Sequence, residues 1–167
     1  MLERRSALAA ALPYRSSVLQ MGEAGGFSLC QVFSKEALLP AKVGTAGEYM
    51  GCTVLRVGPS QFWFIAPHTD DLAAELKGLG AVTPLSHSRV RIFLEGDVAR
   101  DVLAKGIPLD FHKSAFEPGM FAMTGLHHTP VLVHCVCDTR FELYAMRTYA
   151  MSIWEWLSDA ALEFSGG

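Results

Sequence analysis

The chain has 167 residues, of which 50% are hydrophobic and only 19% are charged, and its formal net charge is −3. This length fits one domain, or two halves that share one core. The slight negative charge excludes a basic nucleic-acid-binding protein, four cysteines are no disulfide framework at this length, and the small charged fraction favours a subunit that buries an apolar face against a partner.

The first half is predicted to consist mostly of strands. Residues 2–12 are rich in Ala and Leu and predict a short helix, which is too small and poorly flanked to be a signal peptide. The next predicted elements are strands at 17–21 and 27–33, a helical turn at 35–39, a loop at 41–50, a hairpin with its turn at Gly58-Pro59, a helix at about 69–79 and a strand at 81–84. Thr69 is the predicted N-cap of that helix, and Gly80 ends it.

The second half is predicted to have a similar mixture of strands and helices. Its elements are strands at 89–94, 120–126, 131–136 and 140–146, a helix capped by Asp97 that ends at Gly106, a loop at 109–119 and a terminal helix at about 148–164. Residues 118–137 carry no Asp, Glu, Lys or Arg, but prolines and glycines divide them, so they predict strands and no membrane helix. We therefore expect a cytoplasmic protein.

The terminal helix carries the most regular pattern. Its apolar residues recur at spacings of three and four, namely Met151, Trp154, Leu157, Ala161 and Phe164. Trp156 lies off this stripe, which indicates either a broad core face or a helix that packs on two sides. Trp154 and Trp156 are therefore our candidates for contact with a partner chain.

One short pattern occurs twice, about eighty positions apart, at residues 58–69 and 137–148. Each copy follows an apolar, β-branched run and leads into a predicted helix. The matching pairs are Phe62 with Phe141, Ala66 with Ala145 and Thr69 with Thr148. This duplication predicts a pseudo-symmetric α+β domain over 1–167, built of two similar halves at about 1–80 and 81–167.

The chain has no GxGxxG, Walker, GxSxG or HExxH motif. The best candidates for a metal site are His127, His128, His134, Cys135 and Cys137. Strand alternation places Cys135 and Cys137 on one face and His134 on the other, so four ligands do not converge as zinc requires. We predict no catalytic, metal-binding or cofactor-binding residue.

Several blocks of the second half resemble a known family. They include Leu109-Asp110-Phe111-His112 within residues 83–112, and the closing Trp154-Glu155-Trp156-Leu157. Further blocks lie at 116–119, 130–134 and 141–144, so that the resemblance covers about residues 50–161. Together these blocks resemble the gamma subunit of heterotetrameric sarcosine oxidase.

The resemblance implies a fold and a role. The family is related to the folate-binding domain of glycine-cleavage aminomethyltransferases, which implies an α+β fold of duplicated β-α-β-type units. The parent complex oxidatively demethylates sarcosine to glycine. FAD and FMN belong to its beta subunit, NAD and tetrahydrofolate to alpha and zinc to delta. The resemblance thus implies a noncatalytic structural subunit without a cofactor, which associates with alpha, beta and delta and self-associates when isolated.

Two other functions are open at this point. The first is a stand-alone tetrahydrofolate or one-carbon binding protein, in which Phe62, Trp63 or Tyr144 forms the aromatic wall and Glu142 binds the pteridine nitrogens. The second is an independent enzyme that uses a cysteine of residues 135–137 with a histidine.

Overall fold

The computed structural model describes residues 5–9, 11, 13–36, 38 and 40–164. The described residues form a six-stranded sheet, a five-stranded sheet and a few helices, which confirms the predicted α+β class. The strands are β1 Tyr14–Arg15, β2 Gln20–Glu23, β3 Phe27–Phe33, β4 Ala46–Tyr49, β5 Cys52–Gly58, β6 Gln61–Pro67, β7 Ala81–Pro84, β8 Arg89–Glu95, β9 Phe121–Leu126, β10 Thr129–Cys137 and β11 Arg140–Met146. The helices are α1 Leu72–Glu75, α2 Ala99–Ala104 and α3 Ala150–Leu162, with 3-10 turns at Leu76–Leu79 and Arg147–Tyr149.

The chain divides into two compact units. The large unit comprises the described residues within Met1–Gly25, Arg89–Pro118 and Ala122–Gly167, and the small unit comprises those within Gly26–Ser88 and Gly119–Phe121. Sheet order is β1-β2-β8-β11-β10-β9 in one sheet and β4-β5-β6-β3-β7 in the other. The N-terminal strands therefore join the sheet of the second half of the sequence, because β2 pairs with β8.

The repeated pattern corresponds to a repeated hairpin. Strands β5 and β6 form it in the small unit, and β10 and β11 form it in the large unit. The register shifts at the same place in both copies, between Arg56 and Gly58 in the first and between Cys135 and Cys137 in the second. A shared bulge at matching positions supports the duplication, because bulges are specific features of a strand pair.

Each unit has its own hydrophobic core. In the small unit, Phe62 and Phe64 of β6 pack with Val54 of β5 and with Leu72 and Leu76 of the helical segment. In the large unit the fully buried residues include Val90, Ile92, Leu94, Val102, Leu103, Phe141 and Leu157. The alternation of β8 was predicted from its sequence, and the burial pattern of this strand agrees with it.

The helix predicted at 2–12 is wrong within its described residues, which form a turn at 7–9 instead. The physical reason is Glu23, whose carboxylate accepts the main-chain N–H groups of Ala7 and Leu8 and the hydroxyl of Ser6. These bonds replace those that a helix would supply. The rest of that prediction, and part of the helical turn predicted at 35–39, lie outside the described residues.

Two predicted helix caps are also wrong. Helix α1 starts at Leu72 with Asp71 as its N-cap. Thr69 lies outside the helix because Ser28 Oγ donates to its carbonyl at 2.7 Å and accepts from its N–H at 3.0 Å. Helix α2 has Val98 as its N-cap, with no side-chain cap from Asp97.

Candidate functional site

A network of charged side chains lies on β8 and β11 of the large unit. The side chain of Glu142 is 12% exposed, and its carboxylate oxygens lie 3.8 Å from Arg91 Nη1 and 3.6 Å from Arg140 Nη2. Tyr144 donates its hydroxyl hydrogen to Glu142 Oε2 at 2.7 Å, and Arg140 also contacts Glu95 at 2.6 Å. The Glu142 carboxylate thus interacts with Arg91, Arg140 and Tyr144 of the same unit, and these contacts link strands β8 and β11.

Tyr144 is the most strongly perturbed titratable group of this network. Burial raises the pKa of its phenol far above the usual value of 10, and the neighbouring Glu142 carboxylate raises it further. The phenol therefore stays neutral at physiological pH and acts as a hydrogen-bond donor to Glu142.

The residues considered for a folate site have other partners. Phe62 is 1% exposed in the core of the small unit, and the indole N–H of Trp63 donates to Gln31 Oε1 at 3.1 Å. Phe62 and Trp63 are adjacent on β6 and point to opposite faces of the strand. Tyr144 and Glu142 bind each other in the large unit. No observation favours the tetrahydrofolate-binding alternative.

The bulge in β10 corrects one prediction about the cysteines. Cys135 pairs with Phe141 and Cys137 pairs with Arg140, so the two cysteines face opposite sides of the strand. Cys135 is fully buried and Cys137 is exposed, and burial raises the pKa of the Cys135 thiol. The Cys135 thiol donates to the Cys137 carbonyl at 3.4 Å, and a buried thiol with a raised pKa is a poor nucleophile.

His134 is 5% exposed, and its Nδ1 has no hydrogen-bond partner in the described part of the chain. Burial lowers its pKa, and the charge of Glu142 opposes this effect only in part. His127 instead lies at a hairpin turn against the ring of Trp156. Among the described residues, no three His, Cys, Asp or Glu side chains are placed to hold a metal ion.

Arg100, a buried arginine of the large unit, was not among the residues singled out from the sequence. Its Nη1 donates to the carbonyls of Phe111 and Phe116 at 2.9 Å each, and its Nε donates to the carbonyl of Asp138 at 3.1 Å. Its guanidinium also lies 5.0 Å from the ring centroid of Phe141. Arg100 therefore holds the irregular segment 105–120 in place. The sequence offered one signal for this burial, since Arg100 stands three residues before Leu103 and therefore on the same buried face of α2.

A groove lies beside this segment. It is lined by α2 from Arg100 to Ala104 and by residues 109–113, and it has a volume of about 520 Å³. We call it the α2 groove. Its lining includes the Leu109-Asp110-Phe111-His112 block that carried the family resemblance.

Both tryptophans of α3 pack inside the large unit. Trp154 is 7% exposed and lines a second cavity, of about 330 Å³, with Leu8, Pro13 and Glu23. Trp156 is half-buried, and its ring packs so closely on Gly106 that a Cβ there would lie 2.4 Å away. The apolar stripe predicted for this helix is wrong at Met151, which is 40% exposed.

The described helices include none that is long and apolar enough to span a membrane.

The sequence has known relatives. A family model described as "Sarcosine oxidase, gamma subunit family" matches residues 51–163. The chain is 35% identical over 133 residues to the sarcosine oxidase gamma subunit of Corynebacterium sp. (strain P-1), covering 76% of this chain and 66% of that protein. It is 34% identical over 133 residues to the gamma subunit from strain U-96, covering 76% and 65%. The matched region thus spans just under two thirds of the length of these curated relatives.

Solved structures give the same picture. The fold matches a chain of the heterotetrameric sarcosine oxidase from Corynebacterium sp. U-96 in complex with pyrrole 2-carboxylate, with a TM-score of 0.86 and 26% identity. That match covers 98% of this chain and 97% of the other. The aminomethyltransferase T of the glycine cleavage system from Bartonella henselae matches with a TM-score of 0.62 and 16% identity over 85% of this chain and 46% of that one, which is a likeness of fold alone.

Proposed function

Because this chain belongs to the sarcosine oxidase gamma subunit family, we propose that it is a noncatalytic gamma-type subunit of a heterotetrameric sarcosine oxidase-like flavoenzyme. The observation that carries the proposal is the match over nearly the full length of both chains to a component of such an enzyme. In this proposal the complex oxidatively demethylates sarcosine to glycine in the cytoplasm, as part of one-carbon metabolism.

The role of the chain is structural. Two charged groups with low exposure in the large unit have partners there: Arg100 binds three main-chain carbonyls, and Glu142 is flanked by two arginines. Their contacts hold the loop and the strand pair in place, which is a structural role. FAD, FMN, NAD, tetrahydrofolate and zinc accordingly bind in the alpha, beta and delta subunits.

Assembly also accounts for the apolar composition. Exposed large apolar side chains follow one another where β11 leads into α3, at Met146, Tyr149 and Met151. In our proposal this surface contacts a partner subunit. The half-buried Trp156 and Trp154, which is 7% exposed, stay candidates for partner contact.

The test is co-expression of this chain with the alpha, beta and delta subunits of the same organism, with the purification tag on beta. We expect the chain to co-purify in a stoichiometric amount, and we expect cells that lack it to give much less assembled, sarcosine-oxidising complex. Equal yield and activity without the chain would contradict the structural role.

A further inference from the structure

The irregular segment between α2 and β9, residues 105–120, is fixed in one conformation from inside the protein. Arg100, which is 9% exposed, donates to the carbonyls of Phe111 and Phe116 and to that of Asp138. Local bonds order the segment further, since Asp110 Oδ1 accepts the N–H of His112 at 2.8 Å. Long irregular segments that are held rigidly are frequently functional, because binding residues sit on loops that a scaffold positions.

The α2 groove beside this segment has an apolar floor and a charged rim. Ala104, Leu109 and Phe111 contribute the apolar part, and the exposed rim carries Asp101 and Asp110. The volume of about 520 Å³ lies within the range of about 300–1,000 Å³ that is usual for ligand pockets, so volume alone does not identify the occupant. Its exposed rim fits a protein segment better than a small molecule, because small-molecule sites enclose most of their ligand.

The rim has an excess of negative charge. Arg100 also lines the groove, but its guanidinium already lies 3.6 Å from the carboxylate of Asp138. The remaining fully charged groups are the carboxylates of Asp101 and Asp110 and the ammonium of Lys113. A segment that carries a cation beside an apolar side chain complements this surface.

We propose that the α2 groove is a docking site for a segment of a partner subunit that inserts an apolar side chain against Leu109 and Phe111 and places a Lys or Arg beside Asp101 and Asp110. This docking site rests on the proposed function, since it names a second surface, besides that at Met146, Tyr149 and Met151, through which the chain contacts a partner subunit. Arg100 is then a positioning residue, which shapes the groove without touching the partner.

The test is a competition inside the intact complex. Cells express the other subunits with two versions of this chain, wild type and variant, and mass spectrometry measures the ratio of the two in the purified complex and in the whole lysate. The groove variant is Asp101→Lys/Asp110→Lys. The matched control is Glu36→Lys/Glu48→Lys, two exposed glutamates of the small unit that give the same change in net charge.

We expect the control to enter the complex at about one to one and the groove variant to be depleted roughly tenfold or more relative to its share of the lysate, because charge reversal turns attraction into repulsion. Asp110 also holds the loop, so two further variants separate folding from docking. Asp101→Asn/Asp110→Asn keeps an acceptor for His112 and should be depleted about threefold. Ala104→Trp fills the groove from an exposed helix position and should be depleted at least tenfold.

Incorporation of all groove variants at the control ratio would overturn the docking site and leave the proposed function intact. A change in self-association of the isolated chain, with unchanged incorporation, would overturn it in favour of a second copy as the occupant. Failure of the wild-type chain to enter the complex would overturn the proposed function and the docking site together.

Discussion

Arg100→Met should destabilise the protein more than any substitution at an exposed arginine. The side chain makes three hydrogen bonds to main-chain carbonyls, at 2.9, 2.9 and 3.1 Å, and methionine can make none of them. Each bond from a charged donor contributes about 1.5–3 kcal/mol. Water can reach part of the loop after the substitution, because His112 and Lys113 are exposed, so the loss is smaller than the sum. We expect a decrease of about 3–5 kcal/mol in the free energy of unfolding, out of a typical total of about 5–15 kcal/mol.

Two assays check this prediction. Urea denaturation, followed by tryptophan fluorescence, gives the free energy of unfolding, and limited trypsin digestion measures the cleavage rate at Lys113 within the loop that Arg100 holds. Both should change for Arg100→Met and for Arg100→Lys, whose single ammonium cannot reach three carbonyls. The control Arg15→Met, at an exposed position, should stay within about 0.5 kcal/mol of wild type. A loss below about 1 kcal/mol for Arg100→Met, with no faster cleavage at Lys113, would mean that Arg100 does not hold the loop.

Two further predictions concern packing and pH. Gly106→Ala should lower the free energy of unfolding by about 1–3 kcal/mol, because the new Cβ would overlap the Trp156 ring. It should also shift the fluorescence of that indole. The control in thermal denaturation is Gly78→Ala, since a Cβ at Gly78 meets nothing within 4 Å. Burial lowers the pKa of His134, so the unfolded chain takes up a proton first when the pH falls below the ordinary histidine value of 6.5, and stability decreases through the window from there down to the lowered pKa. Urea titrations between pH 5 and 7 should show that His134→Gln loses this part of the pH dependence of stability, whereas His87→Gln, at an exposed position, should keep it. If the free energy of unfolding of His134→Gln changed with pH as steeply as that of the wild type, His134 would not be the group responsible.

The sequence predicted best the strands whose ends are marked by turn residues. The bounds predicted for β3, β7 and β11 agree with the structure, because alternation and flanking turn residues specify such strands locally. The repeated pattern also predicted the two hairpins, which the structure shows as β5 with β6 and β10 with β11. The predicted α+β fold is correct for the same reason.

The failures have a common physical origin in contacts between residues far apart in the sequence. Glu23 captures main-chain amides near residue 7, and Arg100 binds carbonyls up to Asp138, so neither effect is visible in a local window. The bulge after Cys135 likewise depends on the partner strand, and it places Cys135 and Cys137 on opposite faces where the sequence predicted one shared face. Strand β4 was predicted as a loop because Ala46–Tyr49 has no apolar alternation and is defined by its pairing with β5.

In the proposed function, this chain is one subunit of a four-subunit flavoenzyme. Native mass spectrometry of the complex purified through tagged beta tests it most directly, since the mass gives the composition without any activity assay. We expect a dominant species whose mass is the sum of one alpha, one beta, one delta and one copy of this chain. A dominant species of alpha, beta and delta alone, with this chain as a free monomer in the same lysate, would contradict it.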